Sequence, residues 1–410
     1  MRRSFAPLVL ALVAACAPQA TPQDRCAEAK RQLAVCVGNV AERLDCSQMT
    51  DTDVDRLEAA TTGTSCALLA DALPIDGDPR SATCRLTNVG CVSAVTPAPA
   101  PGATKYPVVL VNGIDSSPLF RYSDRIVRTM KDAGHQVFLA TLPAYETPQV
   151  RTPLLLKRII EVRRQTGAGK VNLVCHSLGG LDCRYLVSPN GLVADAGTEA
   201  AASVASITTV ATAHRGTRVA DVLLDLTPDG DRGRIVNDFA SLVGDWFSDK
   251  ALKDDAHLRD AIRALSTAQA ASFNAEIGDA AGIYYQSWAG YSRPFGQTTP
   301  EHDARLRELC APTDKGAGDG LPGFGPADYM ALPLVPFADV IAKEDPTALM
   351  PNDGLAGVAS TRWGNFRGCV PADHMEQLGQ RSIPDVNVRT GFDVARFYAN
   401  IAGDLRTRGF

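Results

Sequence analysis

The chain has little with which to meet a polyanion. Its 41 Lys and Arg are outnumbered by 46 Asp and Glu, for a formal net charge of -5. The two signs are interspersed, so no basic stripe marks a nucleic-acid surface and that class of partner is set aside. Internal repeats are absent, which excludes solenoid and propeller arrays. The apolar run at the N-terminus, Phe5 to Val13, is too short to span a bilayer. Between residues 24 and 91 there is neither a histidine nor a C-x-x-C pair, which argues against a metal site in that stretch. Histidine is scarce throughout: six residues must supply any imidazole chemistry.

What is present begins with an export signature. Arg2 and Arg3, the apolar run and Val13-Ala14-Ala15-Cys16 make a signal peptide over residues 1–15. Its end resembles the lipobox of bacterial lipoproteins, in which the cysteine after small residues is acylated. On that reading Cys16 becomes the lipid-bearing N-terminus of an exported protein tethered to a bacterial membrane, the outer membrane first. The alternative is an ordinary signal cut nearby, a secreted product and an incidental Cys16. Six cysteines follow in a module over residues 16–95: Cys26, Cys36, Cys46, Cys66, Cys84 and Cys91. An even set in a short exported segment implies three disulfides, with the connectivity left open. A Pro-rich linker over 96–104 precedes the main domain at 105–410.

That domain alternates. Strands are expected over Tyr106–Asn112, His135–Thr141, Lys170–Cys175 and Ser206–Ala211, with helices over about 119–133, 150–166 and after Ser177. Uniformly apolar runs such as Val108-Val109-Leu110-Val111 suit strands buried on both faces, so the expected class is α/β, a mostly parallel sheet covered by helices. A helix-rich block occupies about 217–275. Between 310 and 350 the density of Gly, Pro and Asp leaves no element assignable.

The chemistry centres on Cys175-His176-Ser177-Leu178-Gly179. It sits between a β-branched strand and a helical stretch, as a nucleophile elbow does, with cysteine at the first glycine position. A serine hydroxyl needs a base, and the base needs an acid to hold its tautomer. Asp353, in the turn Pro351-Asn352-Asp353-Gly354, and His374, in Pro371-Ala372-Asp373-His374, follow Ser177 in the order Ser, Asp, His. His176 adjoins the nucleophile, and its ring is expected to point away from Ser177 and to pack or hydrogen-bond behind the turn. An oxyanion hole needs two backbone N–H donors. Leu178, after the nucleophile, supplies one, and Ile114, after Asn112-Gly113, the other.

These residues resemble the foldase-dependent bacterial triacylglycerol lipases of the Pseudomonas and Burkholderia type, within the α/β-hydrolases. The matching runs extend from about Tyr106 to Gln380 and include Val171-Asn172-Leu173-Val174, His176-Ser177, Gly179-Gly180-Leu181, Arg184-Tyr185, His214-Arg215-Gly216, Ser287-Trp288-Ala289-Gly290 and Asn352-Asp353-Gly354-Leu355. The resemblance implies catalytic roles for Ser177, Asp353 and His374, oxyanion roles for Ile114 and Leu178, and a lid at 217–275 over an acyl pocket. It also implies a structural Ca²⁺ held by Glu376, Gln380, the carbonyl of Pro384 and Asp339, together with dependence on a foldase. Glu376 stands where the family has aspartate, Asn112 where it has histidine, and Cys175 where it has glycine. Cys310 and Cys369 are the candidates for a displaced equivalent of the family disulfide, and Cys175 and Cys183 are expected to be buried free thiols. The implied function is a lipid-ester hydrolase with a Ser-His-Asp triad. A short-chain esterase or polyester depolymerase, and a non-catalytic binding scaffold, remain as alternatives.

Overall fold

The structure, a computed structural model, describes residues 20–37, 46, 54, 100–116, 120–192, 194–226, 258–293, 300–313, 328–331, 334–342, 350–380, 387, 390 and 392–410. The chain divides into two compact units, Met1–Val92 and Ser93–Phe410. In the first, a helix spans Pro22–Val37. Thr21 and Asp24 start it reciprocally: the Asp24 N–H donates to the Thr21 hydroxyl, which donates to the Asp24 carboxylate at 2.7 Å. Cys26 is bonded to Cys46. Cys16, Cys66, Cys84 and Cys91 lie outside the described residues, as does the side chain of Cys36. Among the described residues no helix is long and apolar enough to cross a membrane.

The second unit is built on a sheet of six strands in the order β2-β1-β3-β4-β5-β8. The strands are β1 (Val108–Val111), β2 (Val137–Ala140), β3 (Val171–His176), β4 (Val204–Val210), β5 (Tyr284–Gly290) and β8 (Asn365–Val370), and every pairing is parallel. A separate two-residue pairing joins β6 (Ser292–Arg293) to β7 (Asp328–Tyr329). Side chains of a strand alternate between faces, and here both faces are dry. Val108, Leu110, Val174 and Val210 pack on one side with the helices Asp124–Asp132 and Val394–Thr407. Val109, Val111, Leu173, Cys175 and Ile207 pack on the other with Leu155, Ile159 and Val162 of the helix Pro148–Thr166. Burial on both faces is what an unbroken apolar strand requires, and each such side chain contributes about 1.5–3 kcal/mol. The parallel sheet wrapped by helices is an α/β-hydrolase fold.

The expected strands and helices form, each within a few residues of its sequence-based limits. The block at 217–275 is described in part, as the helices Arg218–Leu226, Leu258–Ala264 and Thr267–Glu276. Two disulfides brace this unit. Cys310, at the end of the helix Pro300–Cys310, is bonded to Cys369 on β8, as the resemblance implies. Cys175 is bonded to Cys183, which corrects the expectation of two free thiols. Cys175 points to the face covered by the nucleophile helix Leu178–Val187, and that helix turns back over β3, bringing the two Cα atoms within 6.8 Å, inside disulfide reach.

The Cys310–Cys369 bridge closes a loop of sequence separation 59. Replacing both residues by alanine is expected to cost about 4 kcal/mol through the entropy restored to the unfolded chain. Urea unfolding of the two proteins checks this, and coincident curves would remove the bridge from the stability of the unit.

Candidate active site

Ser177 follows β3 directly and caps the helix Leu178–Val187 with φ 54 and ψ -129. A non-glycine residue in that region is strained, and three contacts hold it there. Its N–H donates to the Val210 carbonyl at 2.9 Å, its carbonyl accepts from the Thr212 hydroxyl at 2.8 Å, and the Gly180 N–H returns to the same carbonyl. The serine is thereby lifted off the C-terminal edge of the sheet.

Asp353 and His374 come to this edge from two later turns. The Asn352 side chain accepts from the Gly354 N–H and donates to the Ala338 and Met350 carbonyls, closing the acid turn. The backbones of acid and base are joined directly, His374 N–H to the Asp353 carbonyl at 2.9 Å. Their side chains meet as well: His374 Nδ1 lies 2.9 Å from Asp353 Oδ2, both groups buried. The base loop is fixed by Asp373, whose carboxylate accepts from the N–H groups of Met375, Glu376 and Ala331. Ser177 and His374 face one cavity of about 760 Å³, mouth included. Its other walls are almost wholly apolar: Ile114, Phe120, Val219, Leu223, Ile262 and Phe337 are among them. Val219 and Leu223 come from the helix Arg218–Leu226 and Ile262 from Leu258–Ala264, so the block after His214 roofs the serine. Residues 227–257 lie outside the described residues.

The sequence reading missed Arg151. It is fully buried and donates to the Asp182 carboxylate at 2.8 Å and to the carbonyls of Pro143, Asn112 and Gly113. In a trans peptide the C=O and the next N–H point opposite ways. Drawing the Gly113 carbonyl toward Arg151 therefore turns the Ile114 N–H away from Arg151. Gly113 itself lies against the serine, where a Cβ would stand 2.9 Å from the Ser177 Cβ. Asn112 completes the brace: its Oδ1 accepts from the Leu142 N–H at 2.7 Å, and its Nδ2 donates to the carbonyls of Gly113 and Asp115. The asparagine thus ties this loop to the segment after β2. Burial pushes the Asp182 carboxyl up to about 6, against the pull of the Arg151 guanidinium.

Alternation along β3 puts His176 on the face opposite Cys175, where its buried ring lies 4.6 Å from that of His374. Burial, reinforced by His374, holds its pKa well below the usual value, so the imidazole stays neutral, and neither ring nitrogen has a partner among the described residues. His214 lies away from the cavity, stacked on Trp363 and bonded through Nε2 to the Thr209 hydroxyl.

Three of the four expected calcium ligands lie among the described residues. Glu376 accepts from the Asp373 N–H and the Asn387 amide, Gln380 donates to the Arg121 carbonyl, and Asp339 is exposed on the helix Val335–Ala342. Pro384 lies outside the described residues, and among those residues no three His, Cys, Asp or Glu side chains gather as a metal site.

No family model matches the chain. A triacylglycerol lipase of Pseudomonas fragi is 30% identical over 299 residues, covering 67% of this chain and 88% of that one. The chain belongs to the triacylglycerol lipase family. A triacylglycerol lipase of Pseudarthrobacter phenanthrenivorans is 34% identical over 182 residues, and the match spans about half of that relative, 54%, and 42% of this chain. Among solved structures, a metagenomic carboxyl esterase superposes with a TM-score of 0.50 at 17% identity, over 75% of this chain and 78% of that one, a likeness of fold.

In this lipase-family site the Arg151–Asp182 pair is testable by a double-mutant cycle. Asp182→Ala strands a buried guanidinium and is expected to cost about 3–5 kcal/mol, whereas adding Arg151→Met should cost much less than a second such step. Denaturant unfolding measures both. Additive losses would show that the two side chains do not act as a pair.

Proposed function

We propose that the chain is a carboxylic ester hydrolase, with lipid esters of the triacylglycerol class as its substrates. The observation that carries this reading is the strained Ser177 opening, beside the hydrogen-bonded His374–Asp353 pair, into an apolar cavity. An acyl chain lies along the apolar walls with its carbonyl at the serine. Ser177 Oγ attacks the carbonyl carbon as His374 Nε2 takes the hydroxyl proton. Asp353 holds Nδ1–H and stabilises the imidazolium. The N–H groups of Ile114 and Leu178 take the charge that develops on the carbonyl oxygen. His374 then returns the proton to the departing alcohol, and water, deprotonated by the same base, releases the acid from the acyl-serine. The proposal places the enzyme outside the cell membrane, tethered through Cys16, and keeps a foldase as its folding partner, both on the strength of the sequence resemblance.

Ser177→Ala is expected to lower kcat on p-nitrophenyl esters by a factor on the order of 10⁶, and a fluorophosphonate should label the parent protein at Ser177 alone. Absence of both hydrolysis and labelling overturns the reading. Rates on emulsified long-chain triglycerides against short soluble esters separate lipase from esterase, a steep preference for the soluble esters favouring the latter.

Calcium at Glu376 and Gln380 belongs to this proposal through the resemblance alone, and no step of the reaction is assigned to it. Bound calcium stabilises the folded state by mass action. The melting midpoint is expected to fall when a chelator is added, and equal midpoints with and without chelator exclude the ion.

A further inference from the structure

The Asp353 carboxylate accepts four hydrogen bonds. Oδ1 takes the N–H groups of Leu355 and Ala356 at 3.0 and 2.7 Å. Oδ2 faces His374 Nδ1 at 2.9 Å and takes a second donor, Gln377 Nε2, at 3.1 Å. Gln377 lies in the short 3-10 helix Glu376–Leu378, one turn after the base, and is wholly buried. Its Nε2 is shared with the Asp373 carbonyl at 3.2 Å, while its Oε1 is buried without a partner among the described residues. Exchanging the two ends would press Oε1 against a carboxylate oxygen and a carbonyl, both acceptors, so the donor end must face Asp353. An unpaired buried carbonyl weakens a fold, and an apolar side chain of the same shape would avoid that loss. Something other than stability is served by an amide here.

The sheet makes room for it. Gly290, at the end of β5, lies directly against the amide: a Cβ at that position would stand 2.1 Å from Gln377 Nε2 and 2.7 Å from the Ala372 carbonyl. This gives a physical role to the last residue of Ser287-Trp288-Ala289-Gly290.

We propose that Gln377 is a positioning residue that locks the Asp353 carboxylate from a second direction, so that His374 keeps Nδ1 on the acid and Nε2 toward Ser177. The proposal rests on the ester-hydrolase reading of the site. The Leu355 and Ala356 amides anchor Oδ1 only. Without Gln377 the Oδ2 end is left to the histidine it is meant to orient. The neighbouring charged and titratable groups are otherwise engaged: Asp373 binds the backbone of its own loop and of Ala331, Glu376 accepts from Asp373 and Asn387, and the His176 ring lies tilted beside the His374 ring.

Gln377→Met keeps the length of the side chain and removes the donor, and Gln377→Leu serves as a second variant. Kinetics on a p-nitrophenyl ester, with active sites counted by fluorophosphonate titration, are expected to show kcat per titrated serine reduced roughly ten-fold, the factor that one charge-assisted hydrogen bond carries. KM should be unchanged and the melting midpoint equal or higher. The downfield proton resonance of the His374 Nδ1–H should shift or broaden. A parent-like kcat per titrated serine with an unmoved resonance overturns the proposal. So does a fall in midpoint with activity lost only in proportion to titratable serine, the pattern of a merely structural residue. If the parent protein neither turns over ester nor takes up the probe, the ester-hydrolase reading has failed instead, and the resonance still decides whether Gln377 orients the Asp353–His374 pair.

Discussion

A serine held at φ 54 and ψ -129 stores strain of order 1–3 kcal/mol, and the surrounding structure is arranged so that Ser177 has nowhere else to go. The end of β4 and the residues just after it hold it from below, through the Val210 carbonyl and the Thr212 hydroxyl. The Cys175–Cys183 bridge ties the strand before it to the helix after it. A cysteine in place of a small first residue of the elbow therefore does more than fill space: it joins the two elements whose angle sets the turn. The free rotation that glycine would bring to that position is replaced by a covalent tie.

Electrostatics finish what sterics begin. The same helix that starts at Ser177 carries Asp182, and Asp182 fixes Arg151, whose remaining donors reach three carbonyls across the cleft. One buried ion pair thus connects the nucleophile helix, the segment after β2 and the loop bearing Ile114. A buried pair is weak evidence for net stability, since desolvation offsets the attraction. Its value here is directional, because five planar donors turn peptide units that would otherwise be free to flip. Asn112 does the equivalent work on the other side of the same loop, with its amide oxygen and nitrogen each engaged.

How much of this could be read from the sequence depends on the range of the interaction. β1, β3 and β4 were legible because burial on both faces forces continuous apolar runs. β5 and β8 were not, since Gln286, Ser287 and Arg367 interrupt the pattern, their polar groups being satisfied only by partners distant in sequence, such as Thr208 for Gln286, Trp363 for Ser287 and Asp404 for Arg367. The positions of Ser177, Asp353 and His374 were marked by local turn chemistry and chain order. Arg151 and Gln377 carry no such mark: in a helix and a loop full of polar residues, nothing local separates a buried amide or guanidinium from a solvated one. The Cys175–Cys183 bridge was misjudged because it depends on which face of β3 a residue takes, and parity along a strand is settled by its neighbours in the sheet.

The site consists of two halves with separate foundations. Ser177, Leu178 and Ile114 rest on β3 and the Arg151 network. Asp353 and His374 rest on β8, the Cys310–Cys369 bridge and the Asp373 clasp on Ala331. Between them runs the segment that begins the roof. There the Thr217 hydroxyl donates to the Leu355 carbonyl at 2.7 Å, Ser360 donates to the Gly216 carbonyl at 2.7 Å, and Arg215 reaches the Arg362 carbonyl. The roof helix Arg218–Leu226 therefore springs from a joint bonded to the turn that carries the acid. Its apolar residues close over the serine while Thr217, the residue before its first turn, is anchored two residues from Asp353. Covering the cavity and holding the acid turn are consequently mechanical demands on the same few hydrogen bonds, and that is why this short segment, rather than the cavity wall itself, binds the two halves into one site.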